Sequence, residues 1–193
     1  ASRFGSLKQV MPWRGKPLVA HVAEQASACR DVATVVVTTG AQGEQVRDAV
    51  APLIGQERLT IPDVPDWADG QSRSAARGLA AAQEASRGSL SAAIFLLADQ
   101  PGVSPELLSA LIQRHRETHA LAVAPRFEGQ RGNPVLFDRR AFAEFENLTG
   151  DAGGRAILRG REDEIAWVDW PTDEILRDID TPEDYAAEKT RDQ

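Results

Sequence analysis

The sequence is poor in cysteine and in long apolar runs, and each shortage excludes a class of protein. Its single cysteine, Cys29, rules out an intramolecular disulfide and a cysteine-based zinc site. No apolar stretch approaches the roughly 20 residues that a membrane span needs, so no membrane partner is expected. Basic charge is also scarce, since the formal net charge is −7. Duplex binders present a basic face, so we expect no nucleic-acid partner.

Three common catalytic fingerprints are missing as well. The sequence has no GxSxG, no GxxxxGK[ST] and no GxGxxG, which argues against a serine hydrolase, a P-loop enzyme and a Rossmann dehydrogenase. The 193 residues show no repeat and no polar linker, so a single domain over 1–193 is predicted. The scarcity of cysteine and the lack of a visible signal peptide favour a cytoplasmic protein.

Strand and helix patterns alternate along the sequence. Strands are predicted at 34–38, 58–61, 92–97, 121–124, 165–170 and 175–179, with an extended segment at 134–137. Helices are predicted at 17–29, 44–53, 72–85, 105–119, 139–146 and 152–159, and another starts at Thr181. This alternation with short connections predicts an α/β fold, a three-layer α/β/α sandwich with a mostly parallel sheet.

Acidic residues follow two of the predicted strands. In such sheets ligands bind beyond the carboxyl ends of the strands. Asp99 comes directly after the apolar run 92–98, and a carboxylate there suits a hard cation, although a surface turn would also use it. Asp178 and Asp180 would face one side of an extended segment. They are candidates for a second oxygen ligand, while Asp180 could also simply start a helix.

Small residues, arginines and lysine recur in the predicted loops. Arg3 and Lys8 stand among small residues near the start, where loop amides and a lysine can hold phosphate, unless the segment is only a frayed basic terminus. The segment 70–74 begins a helix, and its hydroxyls and amides suit an anion or a base edge or merely cap the helix. The glycine-rich segments 129–134 and 150–155 either approach a ligand or form turns.

Six segments together carry a family resemblance. In chain order they are ASRFGSLKQVMPWRGKPLVAHV, GQSRSAARGL, LLADQPGVSPELL, RGNPVLF, GDAGGRAIL and DIDTPEDY. With them the sequence resembles the molybdenum cofactor cytidylyltransferases, within the molybdopterin-guanine-dinucleotide-synthase-like group of nucleotidyltransferases. The resemblance implies a fold like that of the nucleotide-diphospho-sugar transferases. It also implies attack by a substrate phosphate on the α-phosphorus of a nucleoside triphosphate, with release of pyrophosphate and with magnesium bridging the phosphates.

The resemblance also implies a role for each matching residue. Lys8 and Asp99 would be catalytic. The magnesium ligands would be Asp99 and Asp180. The nucleotide would be bound by Arg3, Lys8, Gly70, Ser72, Ser74 and Asp99. The acceptor would face Asn133, Pro134, Gly150, Asp151, Gly153 and Gly154. The acceptor implied is molybdopterin cofactor, with a molybdoenzyme or its chaperone as a further candidate partner.

The sequence departs from the family pattern at its start. Family members open with a hydrophobic strand and an LAAGxS-type loop, whereas this chain opens at Ala1, at or just after the end of that loop. We therefore expect the strand and loop to lie upstream. That loop helps to separate CTP users from GTP users. The segments GQSRS and DQPGVSPELL favour the cytidylyl branch.

Other functions remain open on the same resemblance. One alternative is a guanylyltransferase, or a nucleotidyltransferase for another small phosphate acceptor. A second is an oxidoreductase acting on a quinone-like pigment, which the missing dinucleotide fingerprint disfavours. A third is a molybdopterin carrier without catalysis, which the presence of both Lys8 and Asp99 disfavours.

Overall fold

A computed structural model describes residues 7–53 and 58–191. The strands in these ranges are β1 (Pro12–Trp13), β2 (Lys16–Pro17), β3 (Val35–Val36), β4 (Leu59–Thr60), β5 (Ala92–Phe95), β6 (Ala122–Phe127), β7 (Gln130–Arg131), β8 (Val135–Asp138) and β9 (Ile165–Asp169). The helices are α1 (Leu18–Ala28), α2 (Gly43–Val50), α3 (Gln71–Ala85), α4 (Pro105–Thr118), α5 (Phe142–Glu146), α6 (Gly154–Ile157) and α7 (Pro182–Arg191). Within the described ranges, no helix is both long and apolar enough to cross a bilayer.

The central sheet is mostly parallel, as predicted. Strand β8 is antiparallel to both β5 and β6, and β9 is parallel to β6. Strands β5, β6 and β9 therefore run in one direction, with β8 inserted between β5 and β6. The short strands β3 and β4 also pair in parallel. Two members run in the opposite direction: β7, which pairs antiparallel with β6, and β8, which is the segment predicted to be extended at 134–137.

Helices cover both faces of this sheet and so make the three-layer α/β/α sandwich. Side chains of β6 alternate between the faces. Ala122 and Ala124 pack in a cluster with residues of α3, α5 and α6. Val123 packs instead with Leu107 and Leu111 of α4. The predicted fold class is therefore confirmed.

Helix α4 starts where its capping residues predict. The Oγ atom of Ser104 accepts a hydrogen bond from the Leu107 amide (3.2 Å), and Pro105 takes the first helical position.

The predicted strand at 175–179 is instead a 3-10 helix, Asp173–Leu176, followed by coil. Its apolar residues are buried without pairing: Ile175 is 3% exposed and Ile179 is fully buried. Burial, not strand pairing, produced the apolar pattern.

A buried contact between a histidine and an aspartate fastens α4 to β8. Nε2 of His115 lies 2.8 Å from Oδ2 of Asp138, and both side chains are nearly inaccessible. Oδ1 of Asp138 accepts hydrogen bonds from the backbone N–H and the Nε of Arg140. Burial raises the pKa of Asp138, but these hydrogen bonds outweigh burial and hold that pKa below its ordinary value.

We expect the stability that Asp138 contributes to be lost in acid. Its pKa is lower in the folded state than in the unfolded state. Its contribution is therefore fully present above the unfolded pKa and disappears as pH falls through the folded pKa. Urea unfolding of the wild type and Asp138→Asn from about pH 7 to about pH 3 should show a gap of about 1–2 kcal/mol that narrows in acid. A gap independent of pH would contradict this. Asp31→Asn, which removes a partly exposed pair with Arg116, is the control.

Candidate functional site

Three residues predicted to share a site meet beyond the carboxyl end of β5. Nζ of Lys8 lies 2.5 Å from Oδ2 of Asp99 and 2.8 Å from Oδ1 of Asp180. The two carboxylate oxygens are therefore no farther apart than the sum of these distances. The backbone helps to hold them, because the N–H of Ile179 donates to the carbonyl of Asp99 (3.0 Å). That bond places the residue before Asp180 directly against Asp99.

Charge is concentrated in this cluster. The side chains of Lys8 and Asp99 are each 20% exposed, whereas that of Asp180 is 62% exposed. Burial lowers the pKa of the Lys8 ammonium, but its hydrogen bonds to Asp180 and Asp99 outweigh burial and keep the pKa above its ordinary value. Lys8 is therefore charged at neutral pH.

One carboxylate oxygen of the cluster lacks a hydrogen-bond partner among the described residues. This oxygen, Oδ1 of Asp99, is buried. A buried acceptor without a partner is costly. A bound cation would satisfy this oxygen, and it lies on the same carboxylate that Lys8 contacts.

The donor set of the cluster fits magnesium. Mg²⁺ in proteins is commonly held by one or two carboxylates together with substrate phosphates and water. Asp99 and Asp180 supply two such carboxylates side by side. Over the described ranges, no group of three or more His, Cys, Asp or Glu side chains is arranged to hold a metal. Phosphate and water oxygens would therefore complete the coordination.

Asp178, the other candidate for a second ligand, does not contact Lys8. Its Oδ1 instead accepts a hydrogen bond from the side-chain amide of Gln100. Gln100 is 7% exposed, so this bond ties the turn after β5 to the segment before α7. The structure thus gives Asp178 a structural contact and leaves Asp180 beside Asp99.

The loop with Asn133 and Pro134 is anchored to the same segment. The N–H of Asn133 donates to the carbonyl of Ile175 (3.0 Å), and the Asn133–Pro134 bond is cis. A Cβ on Gly132 would lie 2.6 Å from that carbonyl oxygen. A Cβ on Gly102 would lie 2.8 Å from the carbonyl oxygen of the preceding Glu174. The sequence analysis did not predict these contacts with the segment at 174–175. Gly102 and Gly132 are the signal for them, because a Cβ at either position would clash with that segment.

A second group of predicted residues meets at the start of α3. Gly70 has φ 111°, and a Cβ on it would lie 2.2 Å from the carbonyl carbon of Gly150. The amide of Ser72 donates to the Gly150 carbonyl (3.1 Å), and the amide of Gln71 donates to Oδ1 of Asp151 (3.3 Å). The loops predicted to bind nucleotide and acceptor are therefore in contact.

This contact changes the role open to the first turn of α3. The amides of Gln71 and Ser72, which the sequence offered as anion or base contacts, instead donate hydrogen bonds to the loop at 150–151. Oγ of Ser72 is buried without a hydrogen-bond partner in the described part of the chain, and Ser74 is half-buried. These two amides are therefore already hydrogen-bonded, and Ser72 is only 1% exposed.

The remaining predicted glycines lie beside this junction, and Arg3 lies outside the described residues. A Cβ on Gly153 would be 3.7 Å from Oε1 of Gln71, in ordinary contact with the start of α3. A Cβ on Gly154 would be 2.7 Å from the Phe137 ring. Gly154 is therefore explained by packing of α6 on β8.

Residues 1–165 match the family model described as the MobA-like NTP transferase domain. The chain belongs to this family. It is accordingly a member of the MobA-like nucleotidyltransferase family, and the resemblance stated from the six segments is confirmed. Divalent metal use is typical of such enzymes, in agreement with the two carboxylates beside Lys8.

Three curated relatives align with nearly the whole chain. Nicotine blue oxidoreductase of Paenarthrobacter nicotinovorans is 30% identical, over 91% of this chain and 84% of its own. Purine catabolism protein PucB of Bacillus subtilis is 28% identical, over 95% and 88%. Molybdenum cofactor cytidylyltransferase of Escherichia coli is 25% identical, over 99% and 91%. The relatives bear three different names, so the family alone does not fix the substrate.

Solved structures share the fold. The Rv0371c homologue from Mycobacterium sp. strain JC1 has a TM-score of 0.80 at 22% identity, covering 99% of this chain and 92% of its own. Rv0371c of Mycobacterium tuberculosis in complex with manganese has a TM-score of 0.71 at 21% identity, over 97% and 92%. CMP:2-keto-3-deoxy-manno-octonic acid synthetase complexed with CTP has a TM-score of 0.70 at 19% identity, over 100% and 93%. These likenesses confirm the nucleotidyltransferase-like fold.

Proposed function

We propose that the protein transfers CMP from CTP to the phosphate of molybdopterin cofactor and releases pyrophosphate, with magnesium. The observation that carries the proposal is the contact of Lys8 with both Asp99 and Asp180. The cluster combines a phosphate-binding cation with two metal-binding carboxylates. The relative from Escherichia coli supports the choice of nucleotide and acceptor. The product would pass to a molybdoenzyme or its chaperone in the cytoplasm.

The chemistry requires charge and position rather than a base. An oxygen of the acceptor phosphate attacks the α-phosphorus of CTP, and the bond from that phosphorus to the bridging oxygen breaks, so that pyrophosphate leaves. The attacking oxygen is already anionic, so no residue needs to remove a proton. The Lys8 ammonium binds the triphosphate and stabilises the charge that moves onto pyrophosphate. Magnesium, when bound by Asp99 and Asp180, supplies further positive charge at the phosphates.

The other predicted residues position the two substrates. Gly70, Ser72 and Ser74 border the base and ribose in this proposal. Asn133 and Pro134 face the acceptor, together with Gly150, Asp151, Gly153 and Gly154. The hydrogen bond from Ser72 to Gly150 joins the nucleotide loop to the acceptor loop. It therefore fixes one substrate relative to the other, as in-line transfer requires.

Calorimetric titration of CTP, GTP, ATP and UTP, each with magnesium, tests the nucleotide. We expect metal-dependent binding of CTP, and we expect Asp99→Ala to weaken it at least about tenfold because the substitution removes a ligand. Preference for GTP would keep the mechanism and make the protein a guanylyltransferase. Binding of no triphosphate would defeat the proposal and favour a carrier. Pyrophosphate release with molybdopterin cofactor, compared with other small phosphates, then tests the acceptor.

An oxidoreductase is the second candidate, because the 30% identical relative bears that name. The sequence has no GxGxxG fingerprint for a dinucleotide. An assay for oxidation of NADH or NADPH with a quinone-like pigment tests the oxidoreductase function directly. The reaction is monitored by the fall in absorbance of the reduced nicotinamide. Turnover in that assay, without pyrophosphate release from any triphosphate, would replace the proposed transfer.

A further inference from the structure

We infer that Lys8 fills, in the free protein, the position that a divalent cation takes between Asp99 and Asp180, so that metal is admitted only with the triphosphate. The inference rests on the proposed function, since it assigns the order in which that site is filled. The cluster geometry carries it. One ammonium nitrogen lies within 2.8 Å of an oxygen on each carboxylate.

A metal ion and this ammonium compete for the same two carboxylates. Mg²⁺ binds carboxylate oxygen at about 2.0–2.1 Å and demands near-octahedral geometry. An ammonium in contact with both Asp99 and Asp180 blocks such an ion from bridging them, by volume and by like charge. A metal ion that bridges the two carboxylates in the free protein must therefore displace the Lys8 ammonium or lie directly beside it.

The triphosphate offers Lys8 another partner. Phosphate oxygens bind an ammonium strongly, and a lysine side chain has a long flexible stem. Lys8 stands in a three-residue 3-10 helix, Lys8–Val10, at the edge of the site. Rotation of the side chain would take its nitrogen away from the carboxylates and toward a bound phosphate. The two carboxylates and the buried Oδ1 of Asp99 are then free for the metal that accompanies the nucleotide.

Mn²⁺ binding to the purified protein without nucleotide tests the inference, by the loss of the electron paramagnetic resonance signal of free Mn²⁺. We expect Lys8→Met to bind Mn²⁺ at least about tenfold more tightly than the wild type, because the competing charge is gone. Lys16→Met is the matched control, since Lys16 pairs with Glu24 at 2.5 Å. It should bind Mn²⁺ as the wild type does. Adding Asp99→Asn to Lys8→Met should abolish the gain.

Conservative variants separate charge from structure. Lys8→Arg keeps a competing cation and should not tighten Mn²⁺ binding. If Lys8→Met does not fold by circular dichroism, Lys8→Gln gives the same comparison. Equal or weaker Mn²⁺ binding after loss of the Lys8 charge overturns the inference. This assay contains no nucleotide, so its failure is distinct from a failure to bind CTP, which overturns the proposed function instead.

Discussion

Replacing Asp99 with asparagine is expected to lower the kcat of nucleotidyl transfer at least about 10³-fold, equivalent to about 4 kcal/mol in the barrier. Asparagine keeps the size of the side chain but removes the charge that holds both Lys8 and a metal. The loss should appear in single-turnover release of pyrophosphate at saturating triphosphate and metal. Because the substitution is nearly isosteric, the thermal midpoint should change little.

Asp31→Asn is the matched control for this experiment. Asp31 also pairs with a basic side chain, that of Arg116 (2.8 Å), but it lies in the turn after α1 and is not one of the residues of the candidate site. Its substitution should leave kcat unchanged. Activity of Asp99→Asn within about tenfold of the wild type would show that this carboxylate does not hold the catalytic charge.

Gly70→Ala is expected to destabilise the fold by about 3 kcal/mol or more. The backbone of Gly70 has φ 111° and ψ 175°, a region that is nearly restricted to glycine. The added Cβ would also lie 2.2 Å from the backbone of Gly150, so the two loops must separate. The thermal midpoint should fall by about 6–12 °C. Activity should fall further than stability alone explains, because the loops that we propose to bind nucleotide and acceptor lose their contact.

Gly129→Ala separates backbone strain from steric clash. Gly129 has φ 81°, and a Cβ there would meet nothing within 4 Å. Its substitution should cost about 1 kcal/mol and leave the kcat unchanged. If Gly70→Ala and Gly129→Ala lowered the midpoint equally, the tight contact between Gly70 and Gly150 would be excluded.

Local patterns predicted most of the elements. Helix α3 begins within one residue of its predicted start, and Ser104 caps α4 as expected. Strand β5 was predicted from its apolar run, since a strand covered on both faces has no polar side to alternate. The prediction of a strand at 175–179 was wrong, because apolar residues buried in coil give the same sequence pattern as residues buried in a strand.

The site was only partly visible in the sequence. Asp99 could be chosen because it follows an apolar strand, and Asp180 because it was predicted to face one side of an extended segment together with Asp178. The residue pattern left Asp178 and Asp180 as alternatives, and only the family resemblance favoured Asp180. In the structure Asp178 accepts a hydrogen bond from Gln100, whereas Asp180 lies beside Lys8. The engagement of the α3 amides by the loop at 150–151 was likewise not predictable, because it joins residues about 80 positions apart.

The sequence by itself determined the fold class, the family and the candidate residues, because strand periodicity, caps and motif order are local properties of the chain. The tertiary structure decided which candidates share a site. Contact between Lys8 and Asp180 spans 172 positions, and only the packing of α7 and the turn after β5 brings them together. The same packing places Lys8 between Asp99 and Asp180. In our inference, nucleotide and metal bind together by separating this lysine from the two carboxylates.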